Sequence, residues 1–147
     1  IQKPSAKLII IGQQDLDQTE FRHIENQIKN HNLEANVSLP GYKSDPENYL
    51  SHSSVFVLSS LYEGLPNVLI QALACGTPVV STDCCGGVKE ILVDGKMGYI
   101  DKNENEDDLA EGILQQLTNP FPSVEERIER AAFFSLENAV KKLEELI

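Results

Sequence analysis

Gln71 is the one polar side chain in the apolar run Val68-Leu69-Ile70-Gln71-Ala72-Leu73-Ala74-Cys75, which follows Glu63-Gly64-Leu65-Pro66-Asn67 and is closed by Gly76-Thr77-Pro78. A carboxamide in such a run needs a partner, because a buried amide without one costs roughly 1–3 kcal/mol. Pro66 suits a first helical turn, where its missing N–H is not needed, and Gly76 suits the left-handed residue past a last turn. The spacing predicts a helix over 66–75. The amides of 64–68 would then converge at its positive end, which attracts phosphate. With Glu63 in the loop and Gln71 about two turns in, the segment reads as a pocket for a polyhydroxylated phosphate ester.

The text around these residues resembles the donor-binding core of retaining GT-B glycosyltransferases of the glycosyl transferases group 1 family. The resemblance is carried by Ser59-Ser60-Leu61-Tyr62-Glu63-Gly64-Leu65-Pro66-Asn67, by Gln71-Ala72-Leu73-Ala74-Cys75-Gly76-Thr77-Pro78-Val79-Val80, by Gly86-Gly87-Val88-Lys89-Glu90-Ile91 and by Asp94-Gly95-Lys96-Met97-Gly98, in that order. It extends from Lys7-Leu8-Ile9-Ile10-Ile11-Gly12 to Phe134-Ser135-Leu136-Glu137-Asn138. The family signature is two glutamates with seven residues between them; Glu63 matches the first and Gln71 stands at the second.

The resemblance implies an α/β fold: a Rossmann-like open parallel sheet with helices on both faces, the C-terminal half of a GT-B enzyme. It implies one nucleotide-sugar-binding domain over 1–147, truncated at its N-terminus and ending in helices over 123–147. An acceptor domain and a first strand with a cationic pair would lie upstream. The parent is then expected to move a hexosyl unit from a nucleotide-sugar, most often a UDP-sugar, to a saccharide or lipid-linked acceptor bound by that absent domain. No metal or other cofactor is expected.

Residue by residue, Glu63 would carry the catalytic carboxylate that accepts bonds from donor-sugar hydroxyls; alternatively it complements the helix dipole, worth about 0.3–1 kcal/mol. Gly64, Leu65 and Pro66 would line the phosphate and sugar. Asn67 and Gln71, four apart, share a helix face. Gln71 would meet the ribose as donor and acceptor where a glutamate only accepts, or bond a backbone carbonyl instead. Tyr42 and Lys43 would border the nucleobase, with an exposed loop tyrosine as the plain alternative. Gly86 and Gly87 allow close backbone approach to a ligand, or a simple turn. Glu90 matches a recurrent acidic residue of the family, or caps its helix.

Two other classes stay open: a non-catalytic nucleotide-binding or interaction module derived from the family, and a nucleotide-sugar epimerase of the same fold. Asp15 and Asp17 imitate a metal-binding aspartate pair, but Asp17 is better explained as a helix cap. His23, His31 and His52 have no partner spacing.

Composition narrows the field. At 147 residues the chain can bury a real core, and 41% hydrophobic with 24% charged residues is globular usage. A net charge of −11 argues against a nucleic-acid partner. No apolar run approaches the roughly 20 residues that span a bilayer. Cys75, Cys84 and Cys85 form neither a disulfide framework nor a zinc spacing and suit a reducing cytoplasm; the family resemblance implies a parent peripheral at the inner face of the membrane.

Short apolar runs alternating with amphipathic stretches must position these residues. Strands are expected over 7–12, 36–39, 54–58, 78–81 and 98–100. Helices are expected over 19–30, 46–51, 66–75, 87–92, 106–117, 123–133 and 136–146. Asp17 with Glu20 and Ser123 with Glu126 form capping-box patterns. The acidic stretch 101–108 reads as a solvated loop, and Phe133 with Phe134 as packing for the last helix.

Overall fold

The computed structural model describes residues 5–13, 19–84, 86–101 and 105–145. The chain forms two compact units, 1–46 and 47–147.

In the first unit, β1 (Leu8–Ile11) and β2 (Val37–Gly41) are joined by α1 (Thr19–Asn30), and the strands pair in parallel with Leu8 opposite Val37 and Ile9 opposite Ser38. Leu-Ile-Ile-Ile favours extended backbone. Phe21, Ile24 and Ile28 give α1 one apolar stripe, with Glu20 in its first turn and Lys29 in its last, both matched to the helix dipole. Helix α1 has the expected bounds; Asp17, its expected cap, lies outside the described residues.

The second unit contains α2 (Pro46–Ser51), whose first residue closes the preceding unit, then β3 (Phe56–Leu58), α3 (Asn67–Ala74), β4 (Val79–Thr82), α4 (Val88–Leu92), β5 (Tyr99–Asp101), α5 (Glu106–Thr118), α6 (Val124–Ala132) and α7 (Leu136–Glu144). Its parallel sheet has the order β3-β4-β5. Val79, Val80 and Ser81 of the central strand are fully buried, as a parallel strand covered by helices requires. Leu58, Leu69, Leu73, Val79, Val88, Ile91, Leu92 and Ile100 make the core.

Two expectations need correction. Helix α3 starts at Asn67, because Pro66 has ψ 80°, outside the helical range, and serves as the N-cap. Asp101 does not begin a solvated loop: it ends β5 and is 1% exposed, while Asp108 takes the Tyr99 hydroxyl at 2.8 Å. The Ser123–Glu126 capping box is present with both of its bonds.

Helix α3 ends as its sequence suggests. Gly76 takes φ +72°, the Gly76 amide donates to the Leu73 carbonyl and the Thr77 amide to the Ala72 carbonyl, both at 2.9 Å, a Schellman arrangement. Helix α6 then locks that end. The buried Arg127 donates through Nε to the Gly76 carbonyl at 2.8 Å and through a terminal nitrogen to the Pro122 carbonyl. One turn on, Arg130 donates to the Ile91 carbonyl at 2.9 Å and to the Glu90 carbonyl, at the end of α4. The Arg130 guanidinium also lies within 4.8 Å of both the Phe133 and Phe134 rings, which meet edge to face. Cations placed at the negative ends of α3 and α4 stabilise both helices.

Replacing Arg127 by alanine leaves the Gly76 carbonyl without its charged donor and should cost about 2–3 kcal/mol, read as a lower urea midpoint at unchanged slope; an unchanged midpoint would refute the locking role. Alkaline titration gives a second check. Burial, the bond to Asp108 and the charges of Asp108, Glu111 and Asp101 push the Tyr99 phenol from 10.0 up to about 12. Its folded value lies above the unfolded one, so its contribution to stability is complete below pH 10.0 and is lost as pH rises through about 12. Between those limits Tyr99→Phe should lose stability less steeply than the parent chain.

Candidate functional site

After Leu58 the chain leaves β3 and crosses to the end of β4, where the Thr82 hydroxyl donates to the Ser60 carbonyl at 2.6 Å. That tether sets the start of the motif loop. The Ser60 hydroxyl in turn donates to Oε1 of Glu63 at 2.7 Å, so the half-buried carboxylate is held by one of its two oxygens. Leu61 and Tyr62, just before it, stand 76% and 80% exposed.

The loop after β4 braces the same segment. The Gly87 amide donates to the Gly64 carbonyl at 3.0 Å. Gly86 has φ +109°, and a Cβ there would lie 2.1 Å from the Glu63 carbonyl oxygen and 2.4 Å from that of Gly64. Gly86 is therefore explained by close approach to protein backbone, while a Cβ on Gly87 would meet the Leu65 side chain at 2.6 Å. Gly64 is the opposite case: nothing lies within 4 Å of a Cβ placed on it.

At the start of α3 the Asn67 amide is taken by the Leu65 carbonyl at 2.8 Å and the Leu69 amide by the Pro66 carbonyl at 2.9 Å. The expectation of outward amides throughout 64–68 is thereby reduced. Those of Gly64, Leu65 and Val68 are the ones in that stretch without a partner among the described residues. No side chain caps the helix. Asn67 is exposed and Gln71, one turn further, is half-buried instead of buried; neither carboxamide has a partner among the described residues. The alternative in which Gln71 bonds a backbone carbonyl is not realised.

In the second unit Gly64, Leu65 and Asn67 are exposed, Glu63 and Gln71 are half-buried, and Pro66 is fully buried, while Tyr42, 71% exposed, and Lys43 follow β2 in the first unit. Glu90 is exposed and contributes its carbonyl to Arg130. His23, His31 and His52 are all exposed. Asp15, Asp17 and Cys85 lie outside the described residues, among which no group of three His, Cys, Asp or Glu could hold a metal ion. Cys75 is a half-buried free thiol, and Cys84 is buried. Burial, then the Glu47 charge, pushes the Cys75 thiol up, away from the reactive thiolate. Ser60 and Thr82 had no assigned role in the sequence; the only local hint was a hydroxyl three residues before the carboxylate.

The profile of the family described as glycosyl transferases group 1 matches residues 1–133, and the chain belongs to that family. It is 47% identical over 89 residues to an uncharacterized glycosyltransferase of Methanocaldococcus jannaschii, covering 60% of this chain and 21% of the relative. It is 34% identical over 115 residues to the N-acetylgalactosamine-N,N'-diacetylbacillosaminyl-diphospho-undecaprenol 4-alpha-N-acetylgalactosaminyltransferase of Campylobacter jejuni, covering 78% of this chain and 30% of the relative. A crystal structure of S. aureus TarM in complex with fondaparinux, alpha-GlcNAc-glycerol and UDP matches with a TM-score of 0.82 at 29% identity, over 99% of this chain and 29% of that one. The chain thus spans less than a third of each of these proteins. The α/β class with parallel strands flanked by helices stands. Among the described residues no helix is long and apolar enough to cross a membrane.

The two glycines should separate cleanly in a thermal melt. Gly86→Ala must move the Glu63–Gly64 backbone and should cost about 1–3 kcal/mol, whereas Gly64→Ala should change stability by no more than about 0.5 kcal/mol. Equal effects would contradict the brace.

Proposed function

We propose that this chain binds the donor of a retaining hexosyltransferase: a nucleotide-sugar, in the first place a UDP-sugar, whose hexosyl unit passes to a saccharide or lipid-linked acceptor. The observation that carries the reading is the juxtaposition of three unpartnered amides, of Gly64, Leu65 and Val68, with a carboxylate that is already fixed. Such amides favour an anion, and a carboxylate with one free oxygen accepts from sugar hydroxyls. The UDP in the TarM complex and the diphospho-undecaprenol in the Campylobacter relative's name support the donor and acceptor classes.

In transfer, the bond between the anomeric carbon and the phosphate oxygen breaks and its electron pair leaves with the diphosphate. Preorganised amides facing that growing charge stabilise it without a resident metal ion. Glu63 orients the hexose, and Asn67 and Gln71 offer carboxamides to the ribose, so their contribution is positioning. The acceptor would be held outside this chain. The free thiol of Cys75 suits a cytoplasmic reaction.

A calorimetric and thermal-shift screen of the chain against UDP-, GDP- and ADP-sugars tests the reading. A UDP-sugar at a hundred times its Kd should stabilise by about 2.7 kcal/mol, equally with EDTA present, and Gly64→Ala should weaken binding without lowering the melting temperature. Absence of binding to all three nucleotide classes would overturn it. In the full-length protein Gln71→Glu should retain or raise turnover. If neither form transfers sugar, the chain is a non-catalytic nucleotide module.

A further inference from the structure

The carboxylate of Glu63 has two oxygens, and one already has a partner: Oε1 accepts from the Ser60 hydroxyl at 2.7 Å, in a half-buried setting. Ser60 does not float in its loop. Its carbonyl accepts from the Thr82 hydroxyl at 2.6 Å, across 22 residues of sequence. The same hydroxyl also lies 3.5 Å from the Leu58 carbonyl, but it has one proton, and the 2.6 Å contact is the one that takes it. Thr82 is the last residue of β4, paired in register with Asp101 of β5, so it belongs to the rigid sheet. A line of hydrogen bonds therefore runs from β4 through Ser60 to one oxygen of Glu63.

We propose that Ser60, tethered by Thr82, is a positioning residue for sugar recognition: it locks one carboxylate oxygen and presents the other to a hexose hydroxyl of the nucleotide-sugar. The inference rests on the donor-site reading above and adds to it the residues that set hexose selectivity. Without the Ser60 hydroxyl, a glutamate on an exposed loop must order its own rotamer when sugar arrives and loses part of that contact. The Gly64, Leu65 and Val68 amides do not depend on Ser60, so nucleotide diphosphate affinity is spared.

That asymmetry defines the experiment. Affinities of the chain for UDP, UDP-glucose and UDP-N-acetylglucosamine are measured by calorimetry, and the preference of each form for its better UDP-hexose over UDP is the readout. Ser60→Ala should reduce that preference about three- to tenfold with UDP affinity unchanged, matching the direction of Glu63→Gln, and Ser60→Thr, which keeps the hydroxyl, should restore it. Thr82→Val, which frees the Ser60 carbonyl but leaves its hydroxyl, should give an intermediate loss. Equal weakening of UDP and UDP-hexose by Ser60→Ala would show a merely structural role and overturn the proposal. So would an unchanged preference in Ser60→Ala beside a lost one in Glu63→Gln, which leaves the donor-site reading intact. A parent chain with no preference for either UDP-hexose would overturn the proposal, while the donor-site reading falls only if no nucleotide-sugar binds. Melting temperatures of each variant are read alongside, and if Ser60→Ala fails to fold, Ser60→Thr and Thr82→Val decide.

Discussion

The hydrogen bond from the Gly87 amide to the Gly64 carbonyl, made where Gly86 lets two backbones nearly touch, is the constraint on which the site depends. It joins the loop after β3 to the loop after β4. A chain with a Cβ at residue 86 could not make that approach, and Glu63 would then sit on an unsupported loop. Because the brace fixes the Gly64 peptide, it also fixes the directions of the amides leading into α3. Anion recognition by helix starts needs such directions settled before the ligand arrives, since any ordering on binding subtracts from affinity.

The rest of the second unit holds the two braced helices from behind. Helix α6 uses Arg127 and Arg130 as charged pins on the carbonyl ends of α3 and α4, while Leu69 and Leu73 of α3 and Ile91 and Leu92 of α4 are buried in one hydrophobic core with Val79 of β4. One end of α3 is thus closed by glycine, arginine and backbone, and the other is left open to solvent. A helix with its carbonyl end satisfied and its amide end bare is polarised toward whatever negative group enters. Among the described residues the bare end has no acidic partner on its amides, although the chain carries a net charge of −11.

Much of this was legible in the sequence. Alternation of short apolar runs with amphipathic stretches located every strand among the described residues, because parallel strands and their covering helices have distinct periods. Helix α1 came out with its observed bounds, and Gly76 was readable as a left-handed cap because few other residues take that conformation. Pro66 was placed one position too deep: its fixed φ suits either the cap or the first turn, and only ψ distinguishes them. Asp101 was misread since an acidic run suggests solvent, whereas strand pairing buries its first member. The Thr82–Ser60 tether and the Arg127 pin could not be read at all. Each joins residues more than 20 apart, and in Val-Glu-Glu-Arg-Ile-Glu-Arg the arginines look like an ordinary charged face.

The central claim is that the unpartnered amides at the start of α3 receive the phosphate groups of a nucleotide. The most direct measurement is an amide proton–nitrogen correlation spectrum of the chain titrated with UDP. The account predicts that the Gly64, Leu65 and Val68 resonances shift together, saturably, while those of Leu114 and Gln115 on α5 stay in place. Saturable shifts confined to other segments, with those three amides unmoved, would contradict it.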